Sequence, residues 1–249
     1  MMTNSDKPLP FLKARPTDLA SRALVVGDPD RAALTAELLT NAEEVGGFRE
    51  YRTFTGEFAA KRVTISSHGI GGAGASLCFE ELIQGGVKTI IRAGTCGAMR
   101  KGIKDGELII GRGAIREDGT SERLAPIGYP AIADRHVISA LEAAAAAQGY
   151  TKVHEGIILT QSHIYHGILP STLELWLEAE ANVCAVEMEL ATLLIIAGLH
   201  GVRAGGIFTS DGNLCEKPDP GEYDPHRNVV REGVSTMLTI ALDALVRLA

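Results

Sequence analysis

Short apolar runs that stop at a glycine-rich or charged loop, then give way to a helical pattern, recur along this chain, and few features narrow a fold more. Ala-Leu-Val-Val at 23–26 is followed by Gly-Asp-Pro-Asp-Arg at 27–31 and a helical pattern to Leu39. A run ending at Ser66 is followed by His-Gly-Ile-Gly-Gly-Ala-Gly at 68–74 and a helical stretch at 75–84. Ala-Val-Glu-Met-Glu at 185–189 runs directly into the pattern at 190–199. Further strands at 88–94, 107–115 and 153–160, and helices at 134–148, 170–180 and 228–248, continue the alternation. Strands alternating with helices give an α/β fold, a central mixed, largely parallel sheet flanked by helices in three layers. Residues 48–56 and 62–66 alternate as a hairpin would, with Gly56 near its turn. At 249 residues and 45% hydrophobic, the chain supports one large core. Residues 1–249 therefore read as a single domain, with 1–10 a flexible N-terminus.

Charge narrows the partners. Twenty-four Lys and Arg against 31 Asp and Glu leave a net −7, which argues against a nucleic-acid surface or an anionic membrane. Any anion must be held by a local cluster. Cys78, Cys96, Cys184 and Cys215 show no C-x-x-C spacing, which fits free thiols in a reducing cytosol and no metal site. No apolar leader and no run of membrane-spanning length is visible, so a soluble cytoplasmic protein is expected.

Three stretches carry chemistry. The loop at 27–31 offers backbone N–H groups, a helix N-terminus and the Arg31 fork to an anion, or is only a turn. At 91–97, Ile-Arg-Ala-Gly-Thr-Cys-Gly puts Arg92 at a strand's end with Thr95 beyond it, a compact pocket that fits one inorganic phosphate. No G-x-x-x-x-G-K-[ST] run is present to cradle a triphosphate. At 205–213, an apolar strand is expected to end in a loop whose first charge is Asp211, with Gly212 turning the chain behind it. With Glu187 and Glu189 at a second strand's end, these acids would sit where α/β sheets bind small polar ligands. Tyr165 lies in loop-like sequence where a flat base could stack, and Trp176 reads as packing. The glycines at 69–74 also match the G-x-G-x-x-G dinucleotide fingerprint. Yet the following strand ends on Arg92, not on an acid, so a close-approach turn is the other reading.

Six motifs in order resemble the hexameric nucleoside phosphorylases: Gly-Asp-Pro-Asp-Arg at 27–31, Arg-Glu-Tyr at 49–51, Ser-His-Gly-Ile-Gly at 67–71, Arg-Ala-Gly-Thr-Cys-Gly at 92–97, Val-Glu-Met-Glu at 186–189 and Ser-Asp-Gly at 210–212. The match is similar to the apicomplexan type of purine nucleoside phosphorylase, notably in Glu-Met-Glu-Leu-Ala-Thr-Leu. The resemblance implies phosphorolysis of inosine and guanosine, with phosphate as co-substrate and no cofactor. It implies that Gly27, Arg31, Arg92 and Thr95 hold phosphate, with Arg49 donated by the adjacent subunit of a dimer that assembles into a hexamer. Glu189 would bind the ribose 2′-hydroxyl, with Met188 on the sugar and Glu187 nearby. Val186 and Tyr165 would flank the base, and Asp211 would bond N7 of the purine.

The chain departs from that pattern in three places. Phe11 stands where the family has a histidine that reaches a neighbour's 5′-hydroxyl, so either a loosened contact there or tolerance of an apolar 5′ group is expected. Lys217 stands at an aromatic position of the malaria-type loop. The uridine branch reads uracil with a Gln and an Arg after the fifth strand, and residues 161–170, which contain Gln161 but no Arg, have no such pair, which favours purines. Four other readings compete: uridine phosphorylase, a methylthioadenosine-type nucleosidase, which would need no phosphate arginines, an NAD(P)-dependent oxidoreductase resting on residues 69–74, and a non-catalytic nucleoside binder.

Overall fold

The apolar run at 23–26 forms strand β1 (Arg22–Val26), which lies between parallel neighbours on both sides. A strand covered on both faces has no polar face, which is why its sequence is continuously aliphatic. Ala23 and Val25 enter one hydrophobic core, Leu24 and Val26 the other. The computed structural model describes residues 7–165, 172–179, 181–216 and 224–248.

In chain order, β1 is followed by α1 (Pro29–Ala36), β2 (Thr40–Phe48), β3 (Tyr51–Phe58), β4 (Lys61–Ser67) and α2 (Gly72–Gln84). Then come β5 (Thr89–Ala98), β6 (Leu108–Glu117), α3 (Thr120–Leu124), β7 (Ala131–Ile132), α4 (Arg135–Ala147) and β8 (Val153–Gln161). The last elements are α5 (Thr172–Glu178), β9 (Val183–Glu187), α6 (Leu190–His200), β10 (Arg203–Asn213) and α7 (Asn228–Arg247). The mixed sheet runs β10-β6-β8-β9-β5-β1-β4-β3-β2, and β10 also pairs with β5, so its first five strands close into a ring. Strands β4, β1, β5 and β10 run parallel, while antiparallel pairs close the ring and build the β2–β3–β4 meander. One core packs the sheet against α2 and α6, the other against α1, α4 and α7. Asp134 begins α4 by accepting the His136 and Val137 N–H groups at 2.8 and 3.2 Å, a side-chain cap of the usual kind. No helix among the described residues is long and apolar enough to cross a membrane.

Two local expectations are corrected. Residues 40–48, with three acidic or amide groups and two glycines, pair as β2, so Phe48 belongs to a strand that precedes the expected hairpin. The β3–β4 turn falls at Ala59 and Ala60, not at Gly56. Gly56 lies within β3, where a Cβ would come within 2.9 Å of the Thr40 carbonyl oxygen, so close strand approach, not a turn, selects the glycine. Ala59 and Ala60 hold φ of 48° and 59°. The left-handed region costs a non-glycine residue roughly 1–2 kcal/mol. Ala60→Gly is therefore expected to raise the thermal midpoint, by about 1 kcal/mol of stability, with activity unchanged. Calorimetry of the two proteins checks it; an unchanged or lower midpoint would show that the turn carries no such strain.

Candidate active site

The parallel strands β1, β4, β5 and β10 deliver their carboxyl ends to one edge of the sheet, and the charged residues of the motifs collect there. Arg92 is at the centre. It is flanked in register by Val25 of β1 and Gly206 of β10 and is buried. Its guanidinium folds over Gly94, where a Cβ would stand 3.0 Å from Nη2 and 3.2 Å from Cζ. Any larger residue at 94 would displace it. Nε donates to Glu187 Oε2 at 3.0 Å, Nη2 donates to Glu189, and Nη1 lies 2.9 Å from His68 Nε2. The Phe208 ring lies under the group, 5.5 Å from centroid to Cζ. Burial pulls the guanidinium pKa down, but Glu189 and Glu187 outweigh it and leave it raised, so Arg92 stays charged.

The two glutamates differ. Glu187, at the end of β9, accepts the backbone N–H of Glu189 at 2.9 Å and that of Leu190 at 2.9 Å, and the Thr160 hydroxyl at 2.6 Å. It therefore holds the start of α6 as well as Arg92. Glu189 accepts the Gly71 N–H at 2.5 Å. Burial pushes the Glu189 carboxyl up and Glu187 adds to it, while Arg92 opposes both. Met188, between them, is half-buried. The glycine turn at 69–74, with φ of 73° at Gly69 and 89° at Gly71, brings the start of α2 against this carboxylate, so close approach explains its glycines.

Arg31 rises from the first turns of α1, where Asp28 caps the helix by accepting the Asp30 N–H at 2.9 Å. Burial lowers the Arg31 pKa and Arg92 pushes the same way, while Asp28 and Asp211 oppose them. Two arginines close enough to repel, with an acid nearby, are the electrostatic mark of an anion site. Gly27 is half-buried between β1 and α1, and its carbonyl accepts the Gly69 N–H at 2.9 Å. Thr95, half-buried and in register with Thr209, follows Arg92 by three residues, so alternation turns its side chain to the α1 side.

Asp211 is not in a loop. Strand β10 continues to Asn213, and its register with β5 slips between Ser210 and Gly212, so Asp211 is the extra residue of a β-bulge. A bulge re-aims a side chain without ending the strand, and Gly212 needs no positive φ to do it. The Asp211 carbonyl accepts from Arg227 Nη2 at 3.2 Å, and the same nitrogen pairs with Asp105 at 2.6 Å.

Other expected residues stand apart from this cluster. Arg49 is exposed at the β2–β3 turn with φ 57°, its guanidinium 5.3 Å from the Phe48 centroid, and no hydrogen bond within the described chain joins it to Arg92. Val186 packs with Met99, Leu159 and Leu214 in a small apolar cluster beside Gly97. Tyr165 is 88% exposed. Trp176, expected as packing, joins that cluster but also donates Nε1–H to Glu117 at 3.0 Å. Phe11 is fixed through its backbone: buried Glu81 accepts its N–H at 2.9 Å and the Leu12 N–H at 2.8 Å, and its ring meets Tyr51 edge-on at 6.5 Å. Lys217 and Pro170, where a helix was expected to begin, lie outside the described residues. His68 and Phe208, which complete the surroundings of Arg92, were not singled out by sequence. An imidazole directly after a strand and before glycine was the one signal that pointed to His68.

Residues 21–247 match the family model described as the phosphorylase superfamily. The chain is 38% identical over 229 residues to the purine nucleoside phosphorylase of Plasmodium vivax (strain Salvador I), covering 91% of each chain. It is 37% identical over 204 residues to the uridine phosphorylase of Thermococcus kodakarensis, covering 78% of this chain and 73% of that one. The crystal structure of purine nucleoside phosphorylase from Toxoplasma gondii in complex with immucillin-H superposes with a TM-score of 0.92 at 33% identity, covering 99% of this chain and 98% of that one.

Proposed function

The chain belongs to the phosphorylase superfamily and is a nucleoside phosphorylase, a pentosyltransferase, and from that premise we propose that it is a cytoplasmic purine-salvage enzyme acting on inosine and guanosine. It converts them reversibly to free purine and ribose 1-phosphate, with inorganic phosphate as co-substrate and no cofactor. The observation that supports this most is the meeting of Arg31, Arg92 and Asp211 at one sheet edge. Cleaving the C1′–N9 bond leaves positive charge on the ribose and sends the bond's electrons to the base. An anion is needed on one side and a proton donor on the other. In this reading phosphate is held by Arg31, Arg92, Thr95 and the Gly27 backbone, and one of its oxygens attacks C1′ as the base departs. Asp211 gives its proton, or a hydrogen bond, to purine N7. Glu189 takes the ribose 2′-hydroxyl with Met188 against the sugar, and Glu187 holds Arg92 in place. Val186 and Tyr165 border the base. Arg49, exposed on this chain, serves the site of an adjacent subunit in a dimer, and dimers build a hexamer.

Purine is favoured over uracil by Gln161. Its amide is committed to Glu117 at 3.1 Å and Thr172 at 3.0 Å, in the packing of α5 against β6, and so is poorly placed to read a pyrimidine. The uridine phosphorylase relative keeps uridine as the second reading. Release of free base from inosine and from uridine, each with and without phosphate, tests both. Phosphate-dependent hypoxanthine with little uracil is expected, and dominant uracil would move the assignment to uridine. Because Phe11 is held by Glu81 and Tyr51 and brings no polar tip, 5′-deoxyinosine is expected to turn over as fast as inosine. A large loss on 5′-deoxygenation would sink that expectation.

A further inference from the structure

Among the described residues, His68 is the one group bonded to the Arg92 guanidinium that the proposed chemistry leaves without a task. It is fully buried where β4 ends. Its Nδ1 lies 2.8 Å from the Gly69 carbonyl oxygen, which can only accept, so Nδ1 carries the proton and Nε2 is left to accept from Arg92 Nη1 at 2.9 Å. One neutral tautomer satisfies both contacts. The ring is held edge-on against Phe79, with centroids 5.3 Å apart. Burial and the charge of Arg92 keep its pKa well below the ordinary value, so it remains an acceptor. The backbone beside it reaches the other half of the anion site: the His68 N–H bonds the Val26 carbonyl and the Gly69 N–H bonds the Gly27 carbonyl, each at 2.9 Å.

A guanidinium has five N–H donors. On Arg92, Nε is committed to Glu187, one Nη2 donor to Glu189 and one Nη1 donor to His68, leaving one on each Nη. The third contact removes the last freedom of the plane to twist about its stem. Its neutrality also matters. A third carboxylate here would make the pocket negative, and an imidazolium would repel Arg92; a neutral acceptor orients the fork and leaves its charge for a ligand.

We propose that His68 is a positioning residue for phosphate, fixing the Arg92 guanidinium so that its two remaining donors and Arg31 meet one bound anion. The inference rests on the phosphorolytic reading of the site. Its test is steady-state kinetics of the wild type, His68→Ala and His68→Gln, varying phosphate at saturating inosine and inosine at saturating phosphate. His68→Ala is expected to raise the KM for phosphate about tenfold or more, the scale of one hydrogen bond to a charged group, and to leave the KM for inosine nearly unchanged. His68→Gln, whose carbonyl oxygen can accept from Nη1, is expected to recover most of that loss. Equal rises in both KM values, or a Gln variant as poor as Ala, would overturn the assignment in favour of a packing role. A wild type with no phosphate dependence would overturn the phosphorolytic reading as well, whereas a phosphate-dependent wild type unaffected by His68→Ala would overturn this inference alone. If His68→Ala does not fold, nitrogen NMR of the wild-type imidazole decides. A neutral Nδ1–H tautomer persisting well below the ordinary imidazole range supports the proposal, and an Nε2–H or protonated ring refutes it.

Discussion

Asp211→Ala is expected to lower phosphorolysis of inosine by about 10²-fold or more, the scale of lost general-acid assistance, with the KM for phosphate little changed. The bulge makes this a clean substitution. Arg227 holds the Asp211 backbone through its carbonyl oxygen, a contact the alanine variant keeps, and the β10–β5 pairing resumes at Gly212 on its far side. The side chain is half-buried, so truncation leaves no core void comparable to a buried aliphatic. Loss of rate with an unchanged thermal midpoint would therefore report chemistry. Asp211→Asn separates two parts of the role: an amide can still donate a hydrogen bond to N7 but cannot transfer a proton. A variant intermediate between wild type and alanine would say that hydrogen bonding carries part of the effect. An unchanged rate in Asp211→Ala would remove the residue from the mechanism.

Arg92→Ala is expected to fail more broadly, losing activity and stability together. Removing the guanidinium leaves Glu187 and Glu189 close together in a buried site without their shared cation, and leaves His68 Nε2 without its donor. Breaking a buried ion pair from one side costs about 3–5 kcal/mol. Denaturant midpoints should fall accordingly. Arg92→Lys keeps the charge but presents a single ammonium where three partners are arranged around a planar fork, so it should recover stability only in part and phosphate affinity poorly. Arg31→Ala is the informative contrast, because Arg31 is half-buried and meets its neighbours through charge at a distance. It should weaken phosphate binding with little change in the midpoint. Equal stability losses in the Arg31 and Arg92 variants would show that the Glu187–Arg92–Glu189 cluster does not hold the fold as described.

Much of this arrangement was legible because it is written locally. Apolar runs and Gly-rich ends specify strands and helices from neighbouring residues, and an arginine inside a buried strand is too costly to be accidental. What the sequence left open depends on partners far along the chain. β2 has little apolar content and forms because β3 offers an edge to pair with. The bulge at Asp211 exists only in register with β5, so a strand end and a strand that slips by one residue read alike beforehand. Glu187 looks like a ligand-binding acid by residue type, yet much of its bonding goes to the start of α6 and to Arg92. His68 was hidden by the glycines around it, which suggested a turn more strongly than an imidazole suggested a task.

The closing of the sheet also sets the order in which this protein can become competent. β5 obtains β1 as a neighbour early in the chain, but its other flank waits for β10, and the ring that both belong to cannot shut until β6, β8 and β9 are in place. Contacts of such long sequence separation form slowly, because chain entropy must be overcome before they contribute. Arg92 sits on the seam, between Val25 and Gly206. A nascent or partly folded chain can therefore have its first strands and helices in place and still be unable to capture an anion, since the clamp is completed by the same late pairing that completes the fold.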